Sequence, residues 1–479
     1  MASVQLVVIG AGPGGYAAAY YAADLGMSVA MVDTELNPGG VCLYRGCIPS
    51  KALLHVAKVI TEAHHASSWG VSFGEPKIDV AKLRAFKDQV VQKLTSGVGQ
   101  VGKFRKVNYI RGKATFTSPT SISIDLLDKD GKPSGNDTLT FEHAIVATGS
   151  RPATVPGLSI DSPRVMDSTA ALDLPDVPKT LLVVGGGYIG LELGSVYAAL
   201  GTKVTVVEMT PGLLPGADRD LVAVLAKRME QTMHKVLVNA RVTEMKDTGK
   251  GVAVKIDGAD LAPADKEQTF DRVLVSVGRK PNSAVPGLDK TKVAVDQRGF
   301  IVVDAARRTA EPTIFAIGDV VGEPMLAHKA SHEARVAVEA ALGHRTAFEP
   351  QAIPAVVFTD PEVAWCGLTE TEAQKQGRRV EIAKFPWAAL GRAIAIDRPD
   401  GLTKLVIDPA TERILGVGIV GSGAGELIAE GVLAVEMAAL ATDLKLSIHP
   451  HPTLSETLME AAEMFFGQST HVYKPKKRA

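Results

Sequence analysis

The sequence predicts an α/β chain in which two copies of one strand–turn–helix–strand unit precede a separate α+β unit. Three observations predict it. First, "VQLVVIGAGPGGYAAAYYAADLGMSVAMVD" (residues 4–33) and "KTLLVVGGGYIGLELGSVYAALGTKVTVVE" (179–208) follow one pattern. In each, an apolar β-branched run enters a glycine-rich turn, a helix of small residues follows, and a second apolar run ends in an acid. Second, shorter apolar runs that close on glycine, "AIVATGSRP" and "VLVSVGRKPN", mark an exit from each copy near residues 150 and 280. Third, from about residue 350 the texture changes to alternating strands with Asp-Pro turns, "AVVFTDPEVAWCGLTETEA" and "GLTKLVIDPATERILGVGIVG", and then to a helix-rich end.

A chain of 479 residues exceeds one hydrophobic core and should divide into three or four domains. The signals above place them at 1–150, 151–280, 281–349 and 350–479. With 52 Lys and Arg against 53 Asp and Glu, there is no broad basic field for nucleic acid. The run Lys474, Lys476, Lys477 and Arg478 reads as a solvated tail. "MASVQLVVIGAG" enters a strand without the cationic segment of a targeting peptide, and no apolar span approaches the ~20 residues of a membrane helix. Three cysteines argue for a reducing compartment, hence the cytoplasm, and against a disulfide-stapled secreted fold.

The first unit carries G-x-G-x-x-G as Gly10, Gly12 and Gly15, with Asp33 at the end of its second strand. The second carries Gly185, Gly187 and Gly190, with Glu208 in the equivalent place. The physical logic is that of a Rossmann-like dinucleotide-binding unit. One glycine makes the tight turn, the next lets backbone approach a pyrophosphate, and the third lets helix and strand pack closely. The helix N-terminus attracts the phosphates, and the acid accepts hydrogen bonds from a ribose diol. Two such units imply two dinucleotides, or one ligand passing electrons to another. Glu208 would repel a 2′-phosphate and no arginine lies in "VVEMTPGLLPG", so the second unit should take NAD rather than NADP.

Between these units lies "GGVCLYRGCIPSK" (39–51), which holds Cys42 and Cys47. Zinc would need four ligands in paired spacings, and only Cys366 remains, read as a small buried strand residue, so no metal is expected. On a regular helix, residues five apart have Cα atoms roughly 8–9 Å apart. A disulfide needs less than about 7 Å. The segment therefore should not be regular helix through both cysteines, and Gly46 offers the place to deviate. Pro49 suits the first turn of a helix through "SKALLHVAKVI", which sets Cys47 near a helix N-terminus with Lys51 one turn on. A distorted loop with one acidified thiol is the pattern of a redox switch.

Further along, Asp319 ends the strand of "TIFAIGDV", where it could hold a polyol or cap the helix "SHEARVAVEAAL". Near the C-terminus "HPHPTLSE" places His451 between two prolines, five residues before Glu456. Thr453-x-x-Glu456 matches a capping box for the helix "TLSETLMEAAEMFF". Dithiol exchange also requires a base, and histidine has the suitable pKa, so both readings of Glu456 stand.

Together "VIGAGPGG", "GGVCLYRGCIPSK", "GGGYIGLELGSV", "VSVGRKPN", "FAIGDV", "MLAHKA" and "HPHPTLSE" resemble the FAD-dependent pyridine nucleotide–disulfide oxidoreductases, and within them the dihydrolipoyl dehydrogenases. The resemblance implies an FAD domain, an NAD domain, a central domain completing the flavin site and an interface domain making a homodimer. It implies FAD contacts from Gly10, Gly12, Gly14, Gly15, Asp33, Gly40, Lys51, Ala114, Thr148, Gly149, Ser150, Asp319, Met325, Leu326, Ala327 and His328. For NAD it implies Gly185, Gly187, Tyr188, Ile189, Gly190, Glu192, Glu208, Val242 and Gly278. Lys51 would lie by the flavin, paired with Glu192. A dihydrolipoyl thiolate would attack Cys42, with His451 and Glu456, from the opposite subunit, taking the proton. Cys47 would lie against the flavin, and hydride would pass to NAD⁺. The partners implied are lipoyl domains of 2-oxoacid dehydrogenase complexes or a glycine-cleavage carrier.

The sequence departs from the pattern at Tyr44 and Arg45, where asparagine and valine are usual, a change expected to act on the disulfide's potential or access. Tyr188 stands where the lipoamide enzymes carry an aliphatic residue and glutathione reductase a tyrosine. "CIPSK" and the double-histidine "HPHPT" favour the lipoamide enzymes, and Glu208 opposes the NADPH-using glutathione reductase. Mercuric reductase needs a C-terminal cysteine pair that is absent here. A redox-sensing flavoprotein without turnover would not need both thiols, His451 and Glu456.

Overall fold

A computed structural model describes residues 2–473; the basic run at Lys474–Arg478 lies outside them. The first unit folds around the strand Ala2–Ile9, which pairs in parallel with Val29–Asp33 on one side and Pro133–Val146 on the other. Asn108–Ser118 extends the sheet beside Val29–Asp33. The strand Ser121–Leu127 joins it antiparallel to Pro133–Val146. The far edge strand, Ile314–Ala316, comes from much later in the chain. Parallel strands with helices on their faces are buried on both sides, which is why Leu6, Val7 and Val8 are all apolar with no alternation and fully buried. The helix Ala327–Ala341 packs on the first-unit helix Pro13–Asp24, so the chain returns to the first unit to finish it.

The second unit is a five-stranded parallel sheet centred on Thr180–Val184, Lys203–Val207 and Arg272–Val275. A three-stranded antiparallel sheet over Arg241–Phe270 attaches to it. Ser150–Pro152 and Arg279–Pro281 pair antiparallel at the hinge between the two units. The last unit is a five-stranded antiparallel sheet from Ala355–Val357 to Ile414–Gly421, covered by the helices Ala424–Glu436 and Glu456–Phe466. Cys366 lies buried in one of its central strands, and burial pushes its thiol up to about 12.

A buried polar cluster joins the last two units. The Lys404 ammonium, 1 % exposed, lies 2.7 Å from Asp218, 2.7 Å from Asp220 and 3.1 Å from Glu370. Asp218 also accepts the backbone N–H groups of Glu370 and Thr371. Burial pushes the Asp218 carboxyl up, but the bonds from Lys404 and Thr371 outweigh it and hold the group at about 2. These three acids are the metal-like cluster found among the described residues, and lysine occupies their centre.

Candidate functional site

The two glycine turns show the division of labour that dinucleotide binding requires. Gly10 adopts φ +98°, and a Cβ there would meet the Ala147 carbonyl at 2.4 Å; Gly185, at φ +107°, would meet that of Ser276 at 2.6 Å. A Cβ on Gly15 would lie 1.9 Å from the Gly10 carbonyl, and one on Gly190 would lie 2.3 Å from that of Gly185. The middle glycines differ. Nothing lies within 4 Å of a Cβ on Gly187, and only the Gly40 Cα at 3.9 Å is near one on Gly12. The space is left open where a pyrophosphate would approach, at the N-termini of Pro13–Asp24 and Tyr188–Ala199.

The acids repeat as well. Asp33 accepts the N–H of Ala11 at 2.6 Å and of Glu35 at 3.0 Å. Glu208 accepts those of Gly186 at 2.6 Å and Thr210 at 2.7 Å. Each carboxylate is thus fixed beside its own glycine turn. The residues fit a dinucleotide in both units.

Between the cysteines the helix breaks. Gly40–Arg45 is one helix and Cys47–His65 another, with Gly46 at φ −144°, ψ −116° between them. The turn is tight, since a Cβ on Gly46 would meet the Val41 carbonyl at 2.9 Å. Cys47 begins the second helix, and Pro49 sits in its first turn. The hydrogen bond from Cys42 lowers the Cys47 thiol most; desolvation by the surrounding protein opposes it even though the residue is open to the cavity, Lys51 assists, and the result is about 7. The same pairing, with burial, drives Cys42 far upward. One thiol is acidic and the other is not. Lys51 Nζ lies 2.8 Å from Glu192 Oε2, and Glu192, 4 % exposed, also accepts from Ser50 Oγ at 3.2 Å and the Phe358 N–H at 3.0 Å. One carboxylate from the second unit therefore ties the cysteine-bearing helix to the last unit.

These groups face one cavity of about 350 Å³. Its wall takes Gly10, Gly12, Gly14 and Asp33 from the first turn, then Gly40, Cys42, Cys47 and Lys51 from the cysteine segment. Thr148, Gly149, Ser150, Asp319, Met325 and Ala327 come from the hinge and the returning segment, and Tyr188, Ile189 and Glu192 from the second unit. Asp319 accepts from Ser150 Oγ, which in turn accepts from Arg279 Nε at 2.7 Å. The Asp319 turn is gripped from the helix behind it: Glu333 accepts the Gly318 N–H at 2.6 Å, and Lys329 donates to the Gly322 carbonyl at 2.9 Å. Asp319 does not cap that helix, whose N-cap is Leu326, because the segment 320–326 intervenes.

Other expected residues lie elsewhere. Gly15 is consumed by helix–strand packing, and Ala114 is buried in the sheet. Leu326 and His328 are not on this wall; His328 Nε2 meets the Pro354 carbonyl at 2.8 Å beside a second cavity. Gly185, Gly187 and Gly190 on the second unit's own turn, Glu208 after the strand Lys203–Val207 and Gly278 after Arg272–Val275 are all outside the cavity. Val242 is buried in that unit's core. His451, its side chain 71 % exposed, is also off the wall, with Nδ1 2.8 Å from Glu456 Oε1. Glu456 Oε2 accepts the Thr453 N–H at 2.8 Å, but the Thr453 hydroxyl turns to the Pro450 carbonyl. The helix starts at Glu456 behind Ser455, later than expected, so no capping box forms. Glu456 holds the histidine and the loop together.

Sequence reasoning missed Thr34, Glu35 and Arg279 on the wall, and it singled out Arg45 for the disulfide without placing it there. The "YR" between the cysteines and the "GR" after an apolar run were visible signals, but nothing in the sequence said where those arginines point.

The pyridine nucleotide-disulphide oxidoreductase profile matches residues 4–334, and the dimerisation domain of the same family matches 353–462. A dihydrolipoyl dehydrogenase from Vibrio cholerae is 48 % identical over 474 residues, 99 % of this chain and 98 % of the relative. One from Haemophilus influenzae is also 48 % identical, covering 99 % of this chain and 97 % of its own. Among solved structures, LpdA from Mycobacterium tuberculosis superposes with a TM-score of 0.86 at 27 % identity, over 96 % of this chain and 100 % of that one. The HOCl-induced flavoprotein disulfide reductase RclA from Escherichia coli, as its Cu(II) complex, gives 0.85 at 27 % identity, over 97 % and 100 %. Proteins of this family use FAD and NAD(H). With both glycine turns, the paired thiols and both matched domains in place, the chain belongs to the pyridine nucleotide-disulphide oxidoreductases, enzymes of the oxidoreductase class.

Proposed function

We propose that this chain is a dihydrolipoyl dehydrogenase, oxidising a dihydrolipoyl group and reducing NAD⁺. One observation carries the reading: a single cavity runs from the Asp33 carboxylate past Gly12 to Cys47, Lys51 and Glu192, against the second unit's helix N-terminus. Gly12, Asp33, Ser150 and Asp319 would hold FAD there, and Gly187 and Glu208 would hold NAD. When bound, FAD supplies the two-electron acceptor that links the dithiol to NAD⁺.

The chain's own residues do the rest. With Cys42 and Cys47 joined as a disulfide, a substrate thiolate attacks one sulfur and expels the other. The better leaving group is the more acidic thiol. Cys47 begins the helix Cys47–His65 and has the Lys51 ammonium beside it, and both stabilise its thiolate once the bond to Cys42 is broken, so attack falls on Cys42 and releases Cys47. The substrate's second thiol then attacks its own mixed-disulfide sulfur, closing the lipoyl disulfide and freeing Cys42. His451, held by Glu456, takes the proton of the first substrate thiol, and the proton of the second passes to the departing Cys42. Because His451 stands outside the cavity of its own chain, it serves the cavity of a second copy in a homodimer built on the 353–462 domain. Lipoyl domains of 2-oxoacid dehydrogenase or glycine-cleavage systems are the partners, and the cytoplasm is the setting. No helix of the described residues is long and apolar enough to cross a membrane.

The test is NADH formation from dihydrolipoamide and NAD⁺ by the purified holoprotein. Rapid formation is expected. Inactivity with dihydrolipoamide alongside turnover of another disulfide with NADPH would overturn the reading.

A further inference from the structure

The stretch 34–38 that follows Asp33 has no ladder or helix of its own. Side chains from two neighbouring elements hold it. From the strand Asn108–Ser118, Arg111 Nε donates to the Thr34 carbonyl at 2.9 Å and the Tyr109 hydroxyl to that of Glu35 at 2.8 Å. From the helix carrying Cys42 come the two residues that depart from the family pattern. The Tyr44 hydroxyl accepts the Asn37 N–H at 3.1 Å and donates to the Asn37 carbonyl at 3.0 Å. Arg45 forms an ion pair with the Glu35 carboxylate. The Tyr44 hydroxyl, carried on a rigid ring, satisfies both backbone groups of Asn37 at once; an asparagine side chain also holds a donor and an acceptor but ends about three bonds shorter, and valine holds neither. Thr34, Glu35 and Arg45 all line the cavity, and Glu35 N–H fixes one oxygen of Asp33.

We propose that Tyr44 and Arg45 are positioning residues for cofactor retention: they fasten the stretch 34–38 to the cysteine-bearing helix, so that the Asp33–Glu35 end of the cavity stays formed and FAD leaves slowly. The proposal rests on the reading that FAD occupies this cavity. Its physical basis is preorganisation. A loop already held in its binding conformation loses less freedom when the ligand arrives. The departure at these two positions therefore acts on the dinucleotide rather than on the thiols beside them.

The experiment compares Tyr44→Phe, Arg45→Met, the double variant, Arg45→Lys and Glu35→Gln with the wild-type holoprotein. FAD release on dilution is followed by flavin fluorescence, and the apoprotein is titrated with FAD. Losing one neutral hydroxyl pair or one part-exposed ion pair should weaken FAD binding about threefold each, and the double variant about tenfold. Arg45→Lys should retain near wild-type affinity. Glu35→Gln should match Arg45→Met and add nothing to it, which keeps the test open if either helix variant folds poorly. The dithiol–disulfide equilibrium of Cys42 and Cys47 against glutathione should stay unchanged in all of them. Wild-type FAD release in every variant, or a shift in the thiol equilibrium as large as that in FAD affinity, would overturn the proposal. A wild-type protein that binds no FAD would instead overturn the assignment of the cavity.

Discussion

Replacing Cys42 by alanine removes the hydrogen bond that does most to hold the Cys47 thiol down at about 7. Desolvation by the protein around it, which pushes the thiol up, and the Lys51 ammonium, which pulls it down, remain. With the largest lowering influence gone, the thiol rises toward the ordinary cysteine range, about 8.5. At pH 7 the thiolate fraction then falls from about one half to about 3 %. Since the thiolate is the nucleophile, alkylation of Cys47 by iodoacetamide should slow roughly fifteenfold at pH 7. The assay follows modification of the Cys47 peptide by mass spectrometry, in reduced protein, from pH 5 to pH 10. The gap should close at high pH, where both proteins carry thiolate. A change in access alone would slow the reaction equally at every pH. A Cys42→Ala profile that still turns near pH 7, or a uniform slowing, would refute the assignment of Cys42 as the donor that acidifies Cys47.

Three further outcomes follow from the geometry. Mixed dimers of Cys42→Ser and His451→Ala subunits, formed by reversible dissociation, should regain activity because each holds one intact shared site; no recovery in verified heterodimers would place both residues in one subunit's site. Glu208→Ala should narrow the preference for NAD⁺ over NADP⁺, measured as a ratio of kcat/KM, since it removes the carboxylate fixed beside the second glycine turn; an unchanged ratio would remove Glu208 from coenzyme choice. Lys404→Met leaves Asp218, 6 % exposed on its side chain, without its ammonium, and should destabilise the protein by about 3–5 kcal/mol near neutral pH in thermal unfolding. Asp218 is depressed in the folded state, so its contribution is present above about pH 4 and lost as pH falls through about 2. The gap between wild type and variant should therefore shrink across that window, and a gap independent of pH would refute the charge-based account.

The sequence by itself determined what rests on local sterics. Gly10, Gly15, Gly185 and Gly190 are needed because a Cβ would strike backbone a few residues or one strand away, and the strand and helix around each turn follow from apolar spacing. The break at Gly46, the start of a helix at Cys47 and the buried Cys366 follow from similar short-range rules. Tertiary structure decided the contacts between residues far apart in the chain. Lys51 and Glu192 are 141 positions apart, Ser150 and Asp319 are 169 apart, and no periodicity encodes either pairing. The strand Ile314–Ala316, far along the chain, takes its place in the first unit's sheet beside Pro133–Val146. Arg45 could have faced solvent, the thiols or Glu35; packing of its helix against the 34–38 stretch chose Glu35. Lys404 reads as a charge in a strand, yet it is buried because three carboxylates from two units converge on it. Local geometry is written residue by residue, whereas long-range pairing depends on which surfaces the whole fold brings face to face.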